Sequence, residues 1–322
     1  MRGTHQVRVS DRRAKYKFEL RRNITIVRGS SGTGKTTLFD MIASYTRLKE
    51  QSGVQIACDK ECIALNAVSD WKRLLRTISD SIIFIDEDFD ASDTEDFART
   101  ISRTDNYYVL FTRENLHYLP YSVEEIYEIH TSNKMHTFRK MYKQNAQHVY
   151  SSNRQVNRSQ FDTFVTEDSK AGFSLFDQYF KESDIECISA GANSSIYAIL
   201  KGNPDRRIFI LADGAAFGSE MNRVMKMAEM YPDRITLCLP ESFEWMVLAS
   251  GLIHAQDLAE MMNNPSEFIE SSKYFSWERF FTDYLVQNTK NSERAYKKTR
   301  LMKFYCIKTN QEKIAAVIGL QE

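Results

Sequence analysis

Gly29–Thr36 reads GSSGTGKT and fits G-x-x-x-x-G-K-[ST] at every fixed position. The stretch follows the apolar run ITIV. It precedes a segment in which Leu38, Met41, Ile42 and Tyr45 recur at helical spacing. Strand, glycine loop and helix in that order predict an α/β fold with a phosphate-binding turn between the first two layers. Gly29, Gly32 and Gly34 let the backbone wrap an anion, with Ser30, Ser31 and Thr33 supplying further N–H groups. The helix N-terminus adds a favourable field. Lys35 is placed to reach the outer phosphates, the Thr36 hydroxyl to hold Mg²⁺, and Thr37 follows on the same turn. The expected ligands are ATP and Mg²⁺.

A second apolar strand, SIIFIDE, ends at Asp86, which is expected beside the Thr36-bound metal, with Glu87 next to polarise a water. The strand YYVLFTREN offers Thr112 and Arg113 at its end. There a polar group can sense the γ-phosphate, or the two residues are an ordinary strand-to-loop passage. With HQVRV and KYKFEL read as antiparallel strands ahead of the loop, GSSGTGKTTL and FIDED make residues 5–135 resemble the ABC-like and AAA-like branch of P-loop ATPases. No LSGGQ-like signature precedes Asp86, where WKRLLRTISDS stands instead. Only about 50 residues separate Lys35 from Asp86, too few for a helical subdomain of ABC size. A small-molecule kinase is the other enzyme class open to such a loop, but Asp-Glu after the strand favours a water nucleophile.

A chain of 322 residues predicts two domains. We expect a P-loop ATPase domain over 1–145, an α/β domain over 160–255 and a mostly helical segment over 256–322, with a polar passage through QNAQ and SSNRQVNRSQ. Lys+Arg and Asp+Glu are equal at 43 each, so attraction to nucleic acid must be local. No apolar run reaches the roughly 20 residues of a membrane span, and MRGTHQVRVSDRR lacks a signal-peptide core. Five scattered cysteines suit a reducing cytoplasm. Cys58 and Cys62, in CDKEC, read as a hairpin with facing thiols or as half a zinc site.

From 160 onward strands and helices alternate: TFVT, IECISA, RIFILAD and RITLCLP are each followed by a helical pattern, which predicts a parallel sheet. Ligands of such sheets sit at the carboxyl ends of the strands. Glu167 ends the first strand, Asp213 the third, and Glu241 and Glu244 follow the fourth, a set of oxygen ligands suited to Mg²⁺. This order resembles the Toprim domain of topoisomerases, primases and overcoming-lysogenisation-defect nucleases. The resemblance rests on FVTEDSKAGF, ISAGANSSIYAIL, ILADGAAFG and LPESFEW. It implies metal-dependent action on a nucleic-acid backbone. Asp168 stands where the family has Gly, and Ala215 where it has a second Asp; Glu220, a turn along the next helix, is the one substitute at hand.

KNSERAYKKTRLMK carries Lys290, Arg294, Lys297, Lys298, Arg300 and Lys303 against Glu293, with Tyr296 among them. It reads as a basic helix that either contacts DNA or RNA or is a solvated face. The whole resembles ATPase–Toprim proteins that guard cells against phage. The competing readings are an ATP-dependent switch with a Toprim-like docking surface for a protein partner, and a kinase with an extra domain. No membrane partner is expected, and the sequence leaves the oligomeric state open.

Overall fold

β1 (His5–Ser10) and β2 (Lys15–Leu20) alternate buried and exposed side chains, the mark of an antiparallel pair with one face on a core. The next strand, β3 (Ile24–Arg28), is buried on both faces. The computed structural model describes residues 1–30, 32–66, 70–142, 149–150 and 156–321. Ser31, in the glycine loop, and most of the polar passage after Tyr142 lie outside the described residues. The chain divides into two compact units, 1–142 with 263–275, and 143–262 with 276–322.

After β3 the first unit continues through α1 (Lys35–Leu48), β4 (Gln55–Ala57), β5 (Glu61–Leu65), α2 (Trp71–Thr77), β6 (Ser81–Ile85), α3 (Glu95–Ile101), β7 (Tyr107–Phe111), β8 (Ile126–Ser132) and β9 (Met135–Lys140). Among the described residues these strands form a nine-stranded sheet, ordered β4-β1-β2-β9-β8-β3-β7-β6-β5. β6 and β7 are buried throughout, as a parallel centre requires. β7 lies between β3 and β6, so the strand that leads into the glycine loop is one removed from the strand that ends at Asp86.

β4 and β5 stand at opposite edges of this sheet, yet only residues 58–60 join them. A flat sheet of nine strands would hold its edges about 38 Å apart, whereas four residue steps reach at most about 14 Å. The sheet therefore curls on itself. Leu38, Phe39, Met41 and Ile42 of α1 are buried in a cluster with Val7, Val9, Phe18, Val27 and Phe84, which come from both halves of the curl. Cys58 and Cys62 thus flank a turn between two edges that do not pair as a hairpin, yet their thiols face each other within hydrogen-bonding reach, as expected of CDKEC. Both are free thiols.

The second unit runs through β10 (Val149–Tyr150), β11 (Val156–Asn157), β12 (Thr163–Thr166), α4 (Ala171–Tyr179), β13 (Glu186–Ser189), α5 (Asn193–Gly202), β14 (Ile208–Leu211), α6 (Gly218–Met230), β15 (Ile235–Cys238) and α7 (Phe243–Ala249). It continues with α8 (Leu258–Asn263), α9 (Trp277–Thr289), α10 (Lys308–Val317) and β16 (Leu320–Gln321). The main sheet is parallel, in the order β10-β15-β14-β12-β13. β12 is the first of the alternating strands, and its sequence neighbours leave it in opposite directions. The carboxyl ends of β12 and β14 therefore flank a topological switch point.

The basic run expected as a helix is not one: α9 ends at Thr289 and residues 290–302 form a loop. Asn291 adopts φ 63°, which stops the helix. Tyr296 N then donates to Thr289 Oγ1 at 3.0 Å, turning the chain back.

Candidate functional site

α1 starts on Gly34, whose φ of 98° favours glycine. A Cβ there would meet Tyr16 Oη at 2.9 Å, and that hydroxyl donates to Gly34 O at 3.0 Å. Gly34 offers no capping side chain, so the first N–H groups of α1 remain for an anion. Lys35 is buried, and its Nζ donates to Ser30 O at 3.2 Å and to Gly29 O. It lies 3.9 Å from Glu87 Oε2. Burial lowers the Lys35 pKa, while the Glu87 charge opposes that shift. Thr36 and Thr37 are exposed on the first turn.

β6 delivers Asp86 and Glu87. Asp86 Oδ1 is buried and has no hydrogen-bond partner among the described residues. Burial raises the Asp86 pKa, and the charges of Asp88, Glu87 and Asp40 push the same way. Glu87 is gripped by Arg113 through Nη2–Oε1 at 2.7 Å and Nε–Oε2 at 3.2 Å. Arg113, then, is the residue after β7 that turns toward Glu87. The neighbouring Thr112 hydroxyl accepts from Glu114 N at 3.0 Å and donates to Glu114 O at 3.3 Å, which occupies it within its own turn. The sequence reading missed two supports. Arg28, the last residue of β3, donates to Asn115 Oδ1 at 2.8 Å and Tyr121 Oη at 2.9 Å, fixing the loop after β7. His136 stacks on Tyr16 with ring centroids 4.4 Å apart, beside Gly34.

In the second unit Glu167, Asp213 and Glu244 line one small pocket of about 20 Å³ at the switch point. Glu167 Oε2 accepts from Asp213 N at 2.9 Å, and Asp213 Oδ1 from Phe243 N at 3.1 Å. Burial pushes the Glu167 carboxyl up to about 7. Burial also holds Asp213 well above the usual carboxylate range, and the charges of Glu167, Glu278 and Glu244 add to the shift. Glu244 Oε1 accepts from Tyr296 Oη at 2.9 Å, while its Oε2 is buried without a partner. Lys298 enters the same pocket, 3.8 Å from Glu244 Oε1 and paired with Glu278. Burial alone would lower the Lys298 pKa, yet Glu244 and Glu278 raise it.

The expectation that a divalent metal holds these acids together meets a different arrangement. Among the described residues no group of three or more His, Cys, Asp or Glu side chains is placed to hold a metal ion. An ammonium already sits among the carboxylates. Ala215 is buried, and Glu220 is engaged by Arg223 instead of lining the pocket. Asp168 caps α4, accepting from Phe173 N at 2.9 Å and Gly172 N at 3.3 Å. Glu241 does not line the pocket. Lys298 was read only as part of an exposed basic run, because nothing in that run marks one lysine as turned inward, and Glu278, on α9, carried no signal of its own.

Residues 10–162 match the family model described as Novel STAND NTPase 3, just under half of the chain. This stretch is an NTPase domain. Nucleotide binding and hydrolysis therefore belong to the half that carries Lys35, Asp86 and Glu87. The NTPase domain also passes a chemical test for Mg²⁺. An unpartnered buried carboxylate oxygen on Asp86 and an exposed Thr36 hydroxyl are hard oxygen donors of the kind the ion takes. The family match stops before β12 and says nothing of the pocket at Glu167. No curated protein and no solved structure matches the chain. Among the described residues no helix is long and apolar enough to cross a membrane.

Proposed function

We propose that the NTPase domain binds ATP with Mg²⁺ and hydrolyses it, and that this cycle acts as a switch on the second unit. The observation that carries the reading is Asp86. Its Oδ1 is buried and unpartnered at the end of β6, one residue before a glutamate tied to both Arg113 and Lys35. A cation and a triphosphate resolve that arrangement. Backbone N–H groups from Gly32 to Thr36 cradle the phosphates, and Lys35 moves from the carbonyls of Gly29 and Ser30 to the outer phosphate oxygens. Thr36 and Asp86 hold the Mg²⁺, which supplies charge neutralisation to the phosphate oxygens. Glu87 takes a proton from the attacking water, and Arg113 sets its orientation. Lys35→Ala is expected to weaken ATP binding severely in calorimetry with an unchanged circular-dichroism spectrum. Glu87→Gln should bind ATP and lose about 10²–10⁴-fold in phosphate release. Equal turnover in that variant would assign the base elsewhere.

For the second unit, Lys298 among the acids favours a docking surface whose partner binding follows the nucleotide state. A Toprim-like action on DNA or RNA, for instance in defence against foreign DNA, is the second reading. It is supported by Glu167 and Asp213 at the switch point, beside a lysine able to meet a phosphate. Assays of DNA and RNA cleavage with Mg²⁺ or Mn²⁺, with and without ATP, separate the two. Cutting that Glu167→Ala and Asp213→Ala both abolish supports the second reading. No cutting, with partner binding that tracks ATP, supports the first.

A further inference from the structure

A cavity of about 240 Å³ opens in the second unit at the end of the sheet opposite the acids, where β14 and β15 begin. Tyr197 and Lys201 come from α5, one helical turn apart, and Tyr231 follows α6. Arg206 and Arg234 stand just before β14 and β15. Leu200 and Ile208 make an apolar floor, both buried. No Asp or Glu is among its described lining residues.

The cations are arranged with the rings. Arg234 lies over Tyr231 at 4.7 Å from the ring centroid, and Lys201 over Tyr197 at 5.9 Å. Part of this charge has an ordinary role. α5 and α6 both end here, and cations complement the partial negative charge of helix C-termini. Arg206 is also paired with Glu186 and donates to Thr163 Oγ1 at 3.1 Å. That role does not account for Arg234, whose Nε is buried with no hydrogen-bond partner among the described residues. Nor does it account for two tyrosines around an open apolar floor.

We propose that this cavity is a binding site for one nucleotide unit, its base against Tyr197 and Tyr231 and its phosphate on Arg234 and Lys201. Aromatic faces accept any base, and guanidinium and ammonium groups accept phosphate, so the site selects a ring-plus-phosphate ligand more than a base identity. The volume suits a single unit. The proposal is independent of the glycine loop and of the acidic pocket.

The test uses the full chain carrying Lys35→Ala, which silences the glycine loop. Calorimetry measures binding of AMP, GMP, inorganic phosphate and a 5′-phosphorylated single-stranded octanucleotide. AMP and GMP are expected to bind comparably and more tightly than phosphate. Tyr231→Ala and Arg234→Gln should each weaken binding about tenfold or more, with Tyr231→Phe restoring it. Unchanged melting temperatures check that the variants fold. Binding of the octanucleotide but of neither mononucleotide would support the same site with a strand end as the source. Phosphate binding as tight as AMP and indifferent to Tyr231→Ala would overturn the proposal, as would no binding of any probe at millimolar concentration. Nucleotide binding that survives both Tyr231→Ala and Arg234→Gln would overturn it too.

Discussion

Glu87 and Glu167 are both glutamates just past the end of a buried strand, two residues and one residue beyond it, yet their surroundings set them to different tasks. Glu87 sits between the cations of Arg113 and Lys35. Glu167 faces burial and neighbouring carboxylates, which favour its proton. The consequence for stability has a definite sign. A carboxyl whose folded pKa is about 7, against 4.5 unfolded, binds more protons folded than unfolded between those values. Its contribution is fully present below about pH 4.5 and is lost as pH rises through 7, a change on the order of a few kcal/mol. Thermal melting of the wild type should therefore fall more steeply from pH 5 to 7.5 than that of Glu167→Gln. Parallel curves for the two proteins would show that Glu167 titrates as in an unfolded chain. Lys298→Met should leave the carboxylates of Glu244 and Glu278 without their ammonium. Loss of one partner of a buried pair typically costs about 3–5 kcal/mol, and partial exposure of Lys298 places this case toward the low end. Urea denaturation of the variant measures it.

Among the elements, the turn after β14 is the most tightly constrained. Gly214 N donates to Pro240 O at 2.6 Å, and a Cβ at 214 would lie 2.6 Å from Leu239 O. Both obstructing atoms are backbone and cannot swing away. Gly214→Ala should lower the melting temperature by several degrees and loosen the hold on Asp213, roughly 1–3 kcal/mol of strain; an unchanged melting curve would show that β15 can retreat. The elements differed in how far their residues announced them. The glycine loop was legible because its chemistry needs particular residues at fixed spacing. The parallel strands were legible because burial on both faces makes continuous apolar runs such as IFIL and SIIFI. The loop at 290–302 was not, since its conformation depends on Thr289 Oγ1 capturing Tyr296 N and on Glu244 receiving the Tyr296 hydroxyl. Those are contacts between distant positions, and no local pattern encodes them. The acids at the switch point were located by strand order, whereas their company, Lys298 and Glu278, came from elements outside the alternating series.

At the scale of the molecule, the first unit is made of two separated stretches of chain. Residues 263–275 return to it, with Ser266 O accepting from Gly3 N at 2.8 Å and Phe275 O from Asn23 Nδ2 at 2.9 Å. Hydrogen bonds of this kind contribute about 1 kcal/mol each. A fragment of residues 1–142 should therefore unfold at lower urea than the same fragment joined by a short linker to 263–275. Coincident transitions would show the returning segment to be passive. The curled sheet carries a further consequence, one of timing during synthesis. β2 must wait for β9, since Lys15 pairs with Met135, and the strand nearest the glycine loop, β3, must wait for β8. A chain emerging from the ribosome folds its early parts first only where their neighbours are early too. Here Tyr16, which holds Gly34 in place, gains its own stacking partner His136 some 120 residues after it was made. The loop that reads as complete in eight consecutive letters is among the last parts of its unit to acquire a shape, so nucleotide capture by a nascent chain would report that the curl has closed.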